Sequence, residues 1–153
     1  MTLPELDRAW PVRIRWTEDG VARAYARSQT FAIDSQASLR ESDPQPSALE
    51  YLLGALGGDL MCGFRKLADA QSIEILDLEI VLEGRLQNVL VHLGVIGERG
   101  DSGLTSVTGS VYVSAIGDPE AVESAWRETL KRAPVYSTLA RSVEMEIELK
   151  LVS

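Results

Sequence analysis

The sequence predicts a single α+β domain with the element order βββ-α-ββ-αα-β. Short segments of alternating apolar and polar residues stand before and after one long helical segment. A second helical stretch precedes the last alternating segment, and no internal repeat or linker interrupts the 153 residues. The composition, 45% hydrophobic and 25% charged, is ordinary for one globular domain with a real core.

The first third of the chain predicts an antiparallel meander. In "WPVRIRW", the residues Trp10, Val12, Ile14 and Trp16 share one face, which predicts a half-buried strand. The segments "VARAYARS" and "QTFAID" predict two further strands, because short turn-forming connections separate them. The polar segment "SQASLRESDPQP", with two prolines, predicts a loop.

A long helix follows, from Ser47 to about Ala70. Ser47 and Glu50 have the spacing of a capping box. The segment from Ala48 to Phe64 is apolar on nearly every side, which predicts a helix buried all round. Each glycine inside a helix costs about 1 kcal/mol relative to alanine. Such glycines predict a close approach by another backbone; they are Gly54, Gly57, Gly58 and Gly63.

The remaining elements follow from local patterns. "IEILDLEIVLEG" predicts a strand with a bulge near Leu76, "VLVHLGVIG" an irregular excursion, and "LTSVTGSVYVSA" a strand. Asp118 and Pro119 have the types favoured at the N-cap and first position of a helix, which ends before Pro134. "PVYSTLAR" predicts a second short helix, and "SVEMEIELKL" alternates as a final strand.

Composition excludes several classes of function. A net charge of -8 argues against nucleic acid as a partner, because an acidic surface repels phosphates. One cysteine excludes an intrachain disulfide and a four-ligand cysteine/histidine zinc site, and the single histidine, His92, cannot anchor a histidine-based metal site. We therefore expect neither metal nor cofactor. No apolar stretch reaches membrane-spanning length and the first residues do not resemble a signal peptide, so we expect a cytoplasmic protein with no membrane partner.

Three segments together carry a resemblance to a known family. They are "PSALEYLLGALGGD", "RAPVYSTLARSVEMEIEL" and the Gly117–Asp118 boundary before the penultimate helix. In this order and spacing, over roughly residues 20 to 152, they resemble the OsmC/Ohr family of osmotically inducible and organic-hydroperoxide-resistance proteins. The resemblance implies an intertwined homodimer in which two long helices lie between two sheets.

The resemblance also implies where the reactive groups of the family would stand. Its members reduce organic hydroperoxides with an attacking cysteine on the long helix and a resolving cysteine before a proline-valine pair, assisted by a glutamate and an arginine. Here Glu50 matches the glutamate and Arg40 the arginine, but Asp59 stands at the attacking position and Ala133 at the resolving one. Thiol peroxidase chemistry needs a thiolate that cycles through sulfenic acid and disulfide, which neither residue can supply.

Each candidate residue also has a purely structural interpretation. Asp59 either serves a binding pocket or is a structural carboxylate satisfied by Arg40, by Lys66 or by a partner subunit. Glu50 is explained by the capping box alone or by a pocket role. Arg40 is either a solvated loop residue or part of the pocket. Cys62 is an inert buried thiol or the reactive group of a one-cysteine site.

Three hypotheses of function remain open. The first is a homodimer that is not a thiol peroxidase and binds a small apolar or peroxide-like ligand at the subunit interface, through Asp59, Glu50 and Arg40. The second is a hydroperoxide reductase that uses Cys62 with external thiols. The third is a structural or partner-binding relative without a ligand. Whether the protein is an enzyme at all is uncertain from the sequence.

Overall fold

The computed structural model describes residues 9–34 and 44–153, and the order of its elements closely follows the predicted one. A short helix, α2, replaces the predicted irregular excursion, and otherwise the mixture of strands and helices is confirmed. The elements are β1 (Arg13–Trp16), β2 (Ala22–Ala26), β3 (Gln29–Ile33), α1 (Ala48–Ala70), β4 (Glu74–Leu86), α2 (Val89–His92), β5 (Leu104–Ile116), α3 (Pro119–Arg132), α4 (Pro134–Leu139) and β6 (Glu144–Leu151).

The chain divides into two compact units, Met1–Tyr51 and Leu52–Ser153. In the first, β1, β2 and β3 form an antiparallel meander, as predicted, in which Ala24 of β2 lies between Ile14 and Phe31. The Tyr51 hydroxyl donates to the carbonyl oxygen of Ala32 at 2.7 Å, and its ring lies 5.1 Å from that of Phe31. A single domain over residues 1–153 stays a prediction.

The apolar face of β1 differs from its prediction. Trp10 and Trp16 are 80% and 66% exposed, and Val12 and Ile14 are exposed as well. The prediction of a half-buried strand is therefore wrong for the single chain. Alternation identifies which face of a strand is apolar, but it does not tell whether the same chain supplies the residues that cover it.

Helix α1 begins with the predicted capping box. The Ser47 backbone N–H donates to Glu50 Oε2 at 2.7 Å, and the Glu50 backbone N–H donates to Ser47 Oγ at 3.3 Å. Two backbone donors that would otherwise lack partners at the helix start are thereby satisfied. The capping box predicted for Ser47 and Glu50 is confirmed by these two bonds, and a pocket role for Glu50 stays a prediction.

The second unit contains a three-stranded sheet in the order β4-β5-β6. β4 and β5 are antiparallel, with a register shift between Ile75 and Asp77 that confirms the bulge predicted near Leu76. β5 and β6 are parallel, which requires a crossover connection, and α3 and α4 provide it. This crossover places the start of α4 close to α1.

Only one face of α1 is buried within the chain. Its buried residues recur every fourth position and pack with the sheet and with α3; they are Leu56, Leu60, Phe64 and Ala68. Phe64 meets Trp126 edge to face, with ring centroids 5.7 Å apart. The prediction of a helix buried on every side is therefore wrong for the single chain, since Gly54, Ala55 and Gly58 are exposed.

Gly109 is a glycine that the sheet requires. It pairs with Leu82 on β4 and with Ile147 on β6. A Cβ atom at this position would collide with the backbone carbonyl oxygen of Val81 and would lie 2.7 Å from Leu82 Cδ2.

No helix within residues 9–34 and 44–153 is both long enough and apolar enough to cross a membrane.

Candidate functional site

A cavity of about 470 Å³ lies in the second unit, between the C-terminal half of α1 and the junction of α3 with α4. Helix α1 contributes more than half of the lining residues, and the rest come from the end of α3 and the start of α4. The lining residues are Asp59, Cys62, Gly63, Lys66, Leu67, Ala70, Thr129, Arg132, Ala133 and Pro134. Asp59 and Ala133, the two positions that the resemblance assigns to the redox cysteines, thus line the same cavity.

The chemically active groups from α1 share one helix face. Asp59, Cys62 and Lys66 stand at positions i, i+3 and i+7, so their side chains follow one another along the cavity wall. Cys62 is exposed in the single chain, so the expectation that its thiol is buried is wrong, and its reactivity stays a prediction. The physical reason is that the buried face of α1 contains Leu60 and Phe64, and Cys62 points away from both.

The opposite wall is built by a close approach of α3 to α1. A Cβ atom at Gly63 would lie 3.4 Å from Cγ2 of Thr129, so a glycine here lets the two helices come close. The Thr129 hydroxyl is buried and donates to the carbonyl oxygen of Ala125 at 2.8 Å. Ala133 is buried at the bend between α3 and α4, and its N–H donates to the carbonyl oxygen of Thr129 at 2.9 Å.

The half-buried carboxylate of Asp59 caps helix α4. Its Oδ2 accepts hydrogen bonds from the backbone N–H of Val135 at 2.8 Å and of Tyr136 at 3.4 Å. The N-cap residue of α4, Ala133, has no side chain that could form such a bond. Asp59 therefore satisfies donors at a helix start that α4 cannot satisfy itself.

One of the three expected partners of Asp59, Lys66, is excluded within the described residues. Lys66 makes no ion pair with any residue in the ranges 9–34 and 44–153, and so it does not satisfy Asp59 there. Arg40 lies outside the described residues. A carboxylate can be satisfied by backbone donors as well as by cations, and the start of α4 supplies those donors.

The second cation of the cavity, Arg132, is partly engaged. Its Nε donates to Glu128 Oε1 at 2.7 Å, one turn earlier on α3. The pair is exposed to solvent, so it contributes little to stability. Among the described residues, no group of three histidine, cysteine, aspartate or glutamate side chains is placed to hold a metal ion.

Sequence reasoning identified part of this cavity and missed part of it. Asp59, Cys62 and Ala133 were singled out, whereas Lys66 was considered only as a partner of Asp59, and Arg132 and Thr129 were missed. A signal existed for both cations: Lys66 is two helical turns after Asp59, and Arg132 immediately precedes Ala133. Glu50 belongs to the capping box of the first unit, and His92 is exposed at the end of α2.

Comparison with known proteins decides the family. The family model described as OsmC-like protein matches residues 41–148. The chain belongs to the OsmC-like protein family. The match covers both the α1 segment and the α3–α4 segment, and hence every residue that lines the cavity. Among curated proteins, no match to this chain was found.

Solved structures show the same fold. The OsmC-like chain matches an OsmC-like protein from Mycoplasma pneumoniae with a TM-score of 0.81 at 17% identity, over 97% of this chain and 100% of that one. It matches an organic hydroperoxide resistance protein from Legionella pneumophila with a TM-score of 0.66 at 10% identity, over 95% of this chain and 99% of that one. For OhrB of Bacillus subtilis the TM-score is 0.57 at 16% identity, over 94% of this chain and 98% of that one. The predicted OsmC-like α+β fold is confirmed.

Proposed function

We propose that this OsmC-like protein is a homodimer that binds a small organic ligand and in which the thiol hydroperoxide-reductase site is degenerate. The observation that carries the proposal is the cavity itself. Asp59 and Ala133 line it together, at the positions that the resemblance assigns to the two cysteines. Neither residue contains sulfur, so no disulfide can form between them.

The chemistry of Asp59 supports a role other than peroxide reduction. Its carboxylate accepts two backbone hydrogen bonds from α4. A carboxylate contains no sulfur that a peroxide could oxidise to a sulfenic acid. Peroxide reduction by the family mechanism would require both an attacking thiolate and a resolving thiol. The assignment of Glu50 and Arg40 to the same site, and of the site to a subunit interface, stays a prediction from the resemblance.

The dimensions and lining of the cavity suit a small ligand. Its volume of about 470 Å³ falls within the range of roughly 300–1,000 Å³ typical of small-molecule sites. Leu67, Ala70 and Pro134 give it apolar surface, and a few polar groups stand among them. Such a combination binds an organic molecule by its apolar body and orients it by its polar groups.

The homodimer is supported by surfaces that the chain leaves uncovered. Within the part of the chain that the structure describes, a Cβ atom added at Gly54 or at Gly58 would have no atom within 4 Å apart from its chain neighbours and the backbone of its own helix. Beside these glycines lies an apolar groove of about 340 Å³, to which Leu53, Met61 and Ile80 contribute. A second copy packed against this groove would explain glycines that weaken the helix by about 1 kcal/mol each.

Hydroperoxide turnover tests the degenerate site. We expect negligible consumption of cumene or tert-butyl hydroperoxide in the presence of a dithiol reductant, because the chain has one cysteine and so no pair of thiols. Exposure of Cys62 makes this test necessary, since burial does not protect the thiol. Efficient turnover that Cys62→Ser abolishes would show a one-cysteine reductase and would overturn the proposal.

Sedimentation equilibrium at micromolar concentration tests the dimer. We expect a mass of roughly twice the 16.7 kDa of the chain. A folded monomer under these conditions would contradict the proposed assembly.

A further inference from the structure

We propose that the ligand of the α1/α3–α4 cavity is an organic anion, with its apolar body against Leu67, Ala70 and Pro134 and its negative group between Lys66 and Arg132. This inference deepens the proposed function and rests on it. It names the chemical class of the ligand, an amphipathic monoanion such as a medium-chain carboxylate, which the proposed function leaves open.

The charges of the lining favour an anion. Among the residues that line the cavity, Lys66 and Arg132 are cationic and Asp59 is the only acid. The formal charge of the lining itself is therefore positive by one unit, in a chain whose net charge is -8, and Glu128, which pairs with Arg132 from outside the lining, offsets part of it. A locally positive wall in an acidic protein attracts anions to that wall and disfavours cationic ligands.

One of the two carboxylate oxygens of Asp59 is already in use. Asp59 Oδ2 accepts hydrogen bonds from two backbone N–H groups of α4, so this oxygen is directed at the helix start. Those donors compensate part of its negative charge. A ligand with a donor or a positive charge would have to compete with α4 for this oxygen, whereas an anion would not.

The two cations have capacity for a ligand. Lys66 forms no ion pair with any residue in the described ranges. Arg132 uses Nε for Glu128, and a guanidinium has further N–H donors on its two terminal nitrogens. One cation comes from α1 and the other from the end of α3, so a carboxylate between them would be held from both walls of the cavity.

The experiment compares three probes with the same eight-carbon chain on the wild-type protein at low ionic strength. Isothermal titration calorimetry with octanoate, octanol and octylamine separates the effect of charge from that of the apolar body. We expect octanoate to bind most tightly and octylamine least. Exposed ion pairs contribute modestly to binding free energy. Lys66→Gln and Arg132→Gln should therefore each weaken octanoate binding about two- to fivefold and leave octanol binding unchanged.

Adjacent cations provide matched controls. Arg65 and Lys131 neighbour Lys66 and Arg132 in sequence, are exposed and do not line the cavity. Arg65→Gln removes the same charge from almost the same place and should leave octanoate affinity unchanged. Lys131→Gln also removes a 3.9 Å ion pair with Glu128, the partner of Arg132, and should change octanoate affinity less than Arg132→Gln does. Loss of affinity in the controls equal to that in the cavity variants would indicate a general field effect and would overturn the assignment.

Labelling of Cys62 locates the bound probe. The thiol is exposed and lines the cavity, so a ligand there should slow its alkylation by neutral iodoacetamide. We expect octanoate to protect Cys62 in the wild type, and to protect it less in Lys66→Gln. Unchanged labelling at saturating octanoate would place the ligand elsewhere and would overturn the inference.

The failure of the inference is distinguishable from that of the proposed function. If octanol and octanoate bind equally well and both protect Cys62, the cavity binds a ligand but does not select an anion. If octylamine binds best, the charge argument is wrong. If none of the three probes binds or protects, ligand binding by this cavity is itself contradicted.

Discussion

Replacement of Asp59 by alanine removes the cap of helix α4. In the wild type, Asp59 Oδ2 accepts from the N–H of Val135 at 2.8 Å and from that of Tyr136 at 3.4 Å. Ala133 at the N-cap provides no substitute, so Asp59→Ala leaves both donors to water alone. We expect the start of α4 to loosen and the folded state to be destabilised.

The magnitude follows from the geometry of the two bonds. Loss of a capping side chain to alanine typically costs about 0.5–2 kcal/mol, and a net hydrogen bond to a charged group about 1.5–3 kcal/mol. The 3.4 Å bond to Tyr136 is long and Asp59 is only half-buried, both of which place the effect toward the lower values. We therefore expect a loss of about 1–2 kcal/mol in the free energy of unfolding. Asp59→Asn keeps an acceptor oxygen and should lose no more than about 0.5 kcal/mol.

Urea unfolding followed by circular dichroism measures these differences. All variants are compared at one protein concentration, because the stability of the proposed dimer depends on concentration. Asp69→Ala is the matched control. Asp69 is an exposed aspartate in the last turns of the same helix, where its removal should change stability by less than about 0.5 kcal/mol. An Asp59→Ala protein as stable as the Asp69→Ala protein, or an asparagine variant as unstable as the alanine one, would refute the capping role.

Three further predictions concern packing, assembly and geometry. Gly109→Ala should lower the free energy of unfolding by about 2–3 kcal/mol in urea, because its methyl group meets the β4 backbone, and a smaller loss would contradict the register of this sheet. Gly58→Ala has space in the single chain and would stabilise a monomer by up to about 1 kcal/mol. If a second copy packs against Gly58, the added methyl group should weaken dimerisation measured by sedimentation, whereas unchanged dimerisation would exclude a partner at this position. In a Cys62→Ser background, the double variant Asp59→Cys and Ala133→Cys should form an intrachain disulfide under mild oxidation, detected by mass spectrometry. Thiols that stay free under these conditions would contradict the proximity of positions 59 and 133.

The elements that the sequence predicted well are those whose signals are local. The capping box of α1 joins residues three positions apart, and both of its hydrogen bonds are present. Asp118 caps α3 by accepting from the N–H of Glu120, two positions away. The bulge near Leu76 interrupts an otherwise regular alternation, which makes it visible in the sequence. In each case the residues that determine the structure are neighbours along the chain.

What the sequence did not predict depends on distant or external partners. The hydrogen bond between Asp59 and Val135 joins residues 76 positions apart, so no local pattern could indicate it. The exposure of Cys62 and of Trp10 depends on which surfaces other residues cover. Apolar periodicity shows that a face prefers to be covered, but the covering group can belong to another element or to another copy of the chain.

The cap explains why an acid is tolerated on α1, and so a binding role for Asp59 requires separate evidence. Asp59→Asn provides it, because asparagine keeps the capping oxygen and removes the only negative charge of the cavity lining. If Lys66 and Arg132 hold an anion there, loss of this like charge should strengthen octanoate binding about two- to fivefold and leave octanol binding unchanged. Calorimetry on the variant measures both affinities while unfolding in urea confirms that the cap is intact. Octanoate binding that weakens in a stable Asp59→Asn protein would show that the carboxylate itself contacts the ligand, and the assignment of the negative group to the two cations would then be wrong.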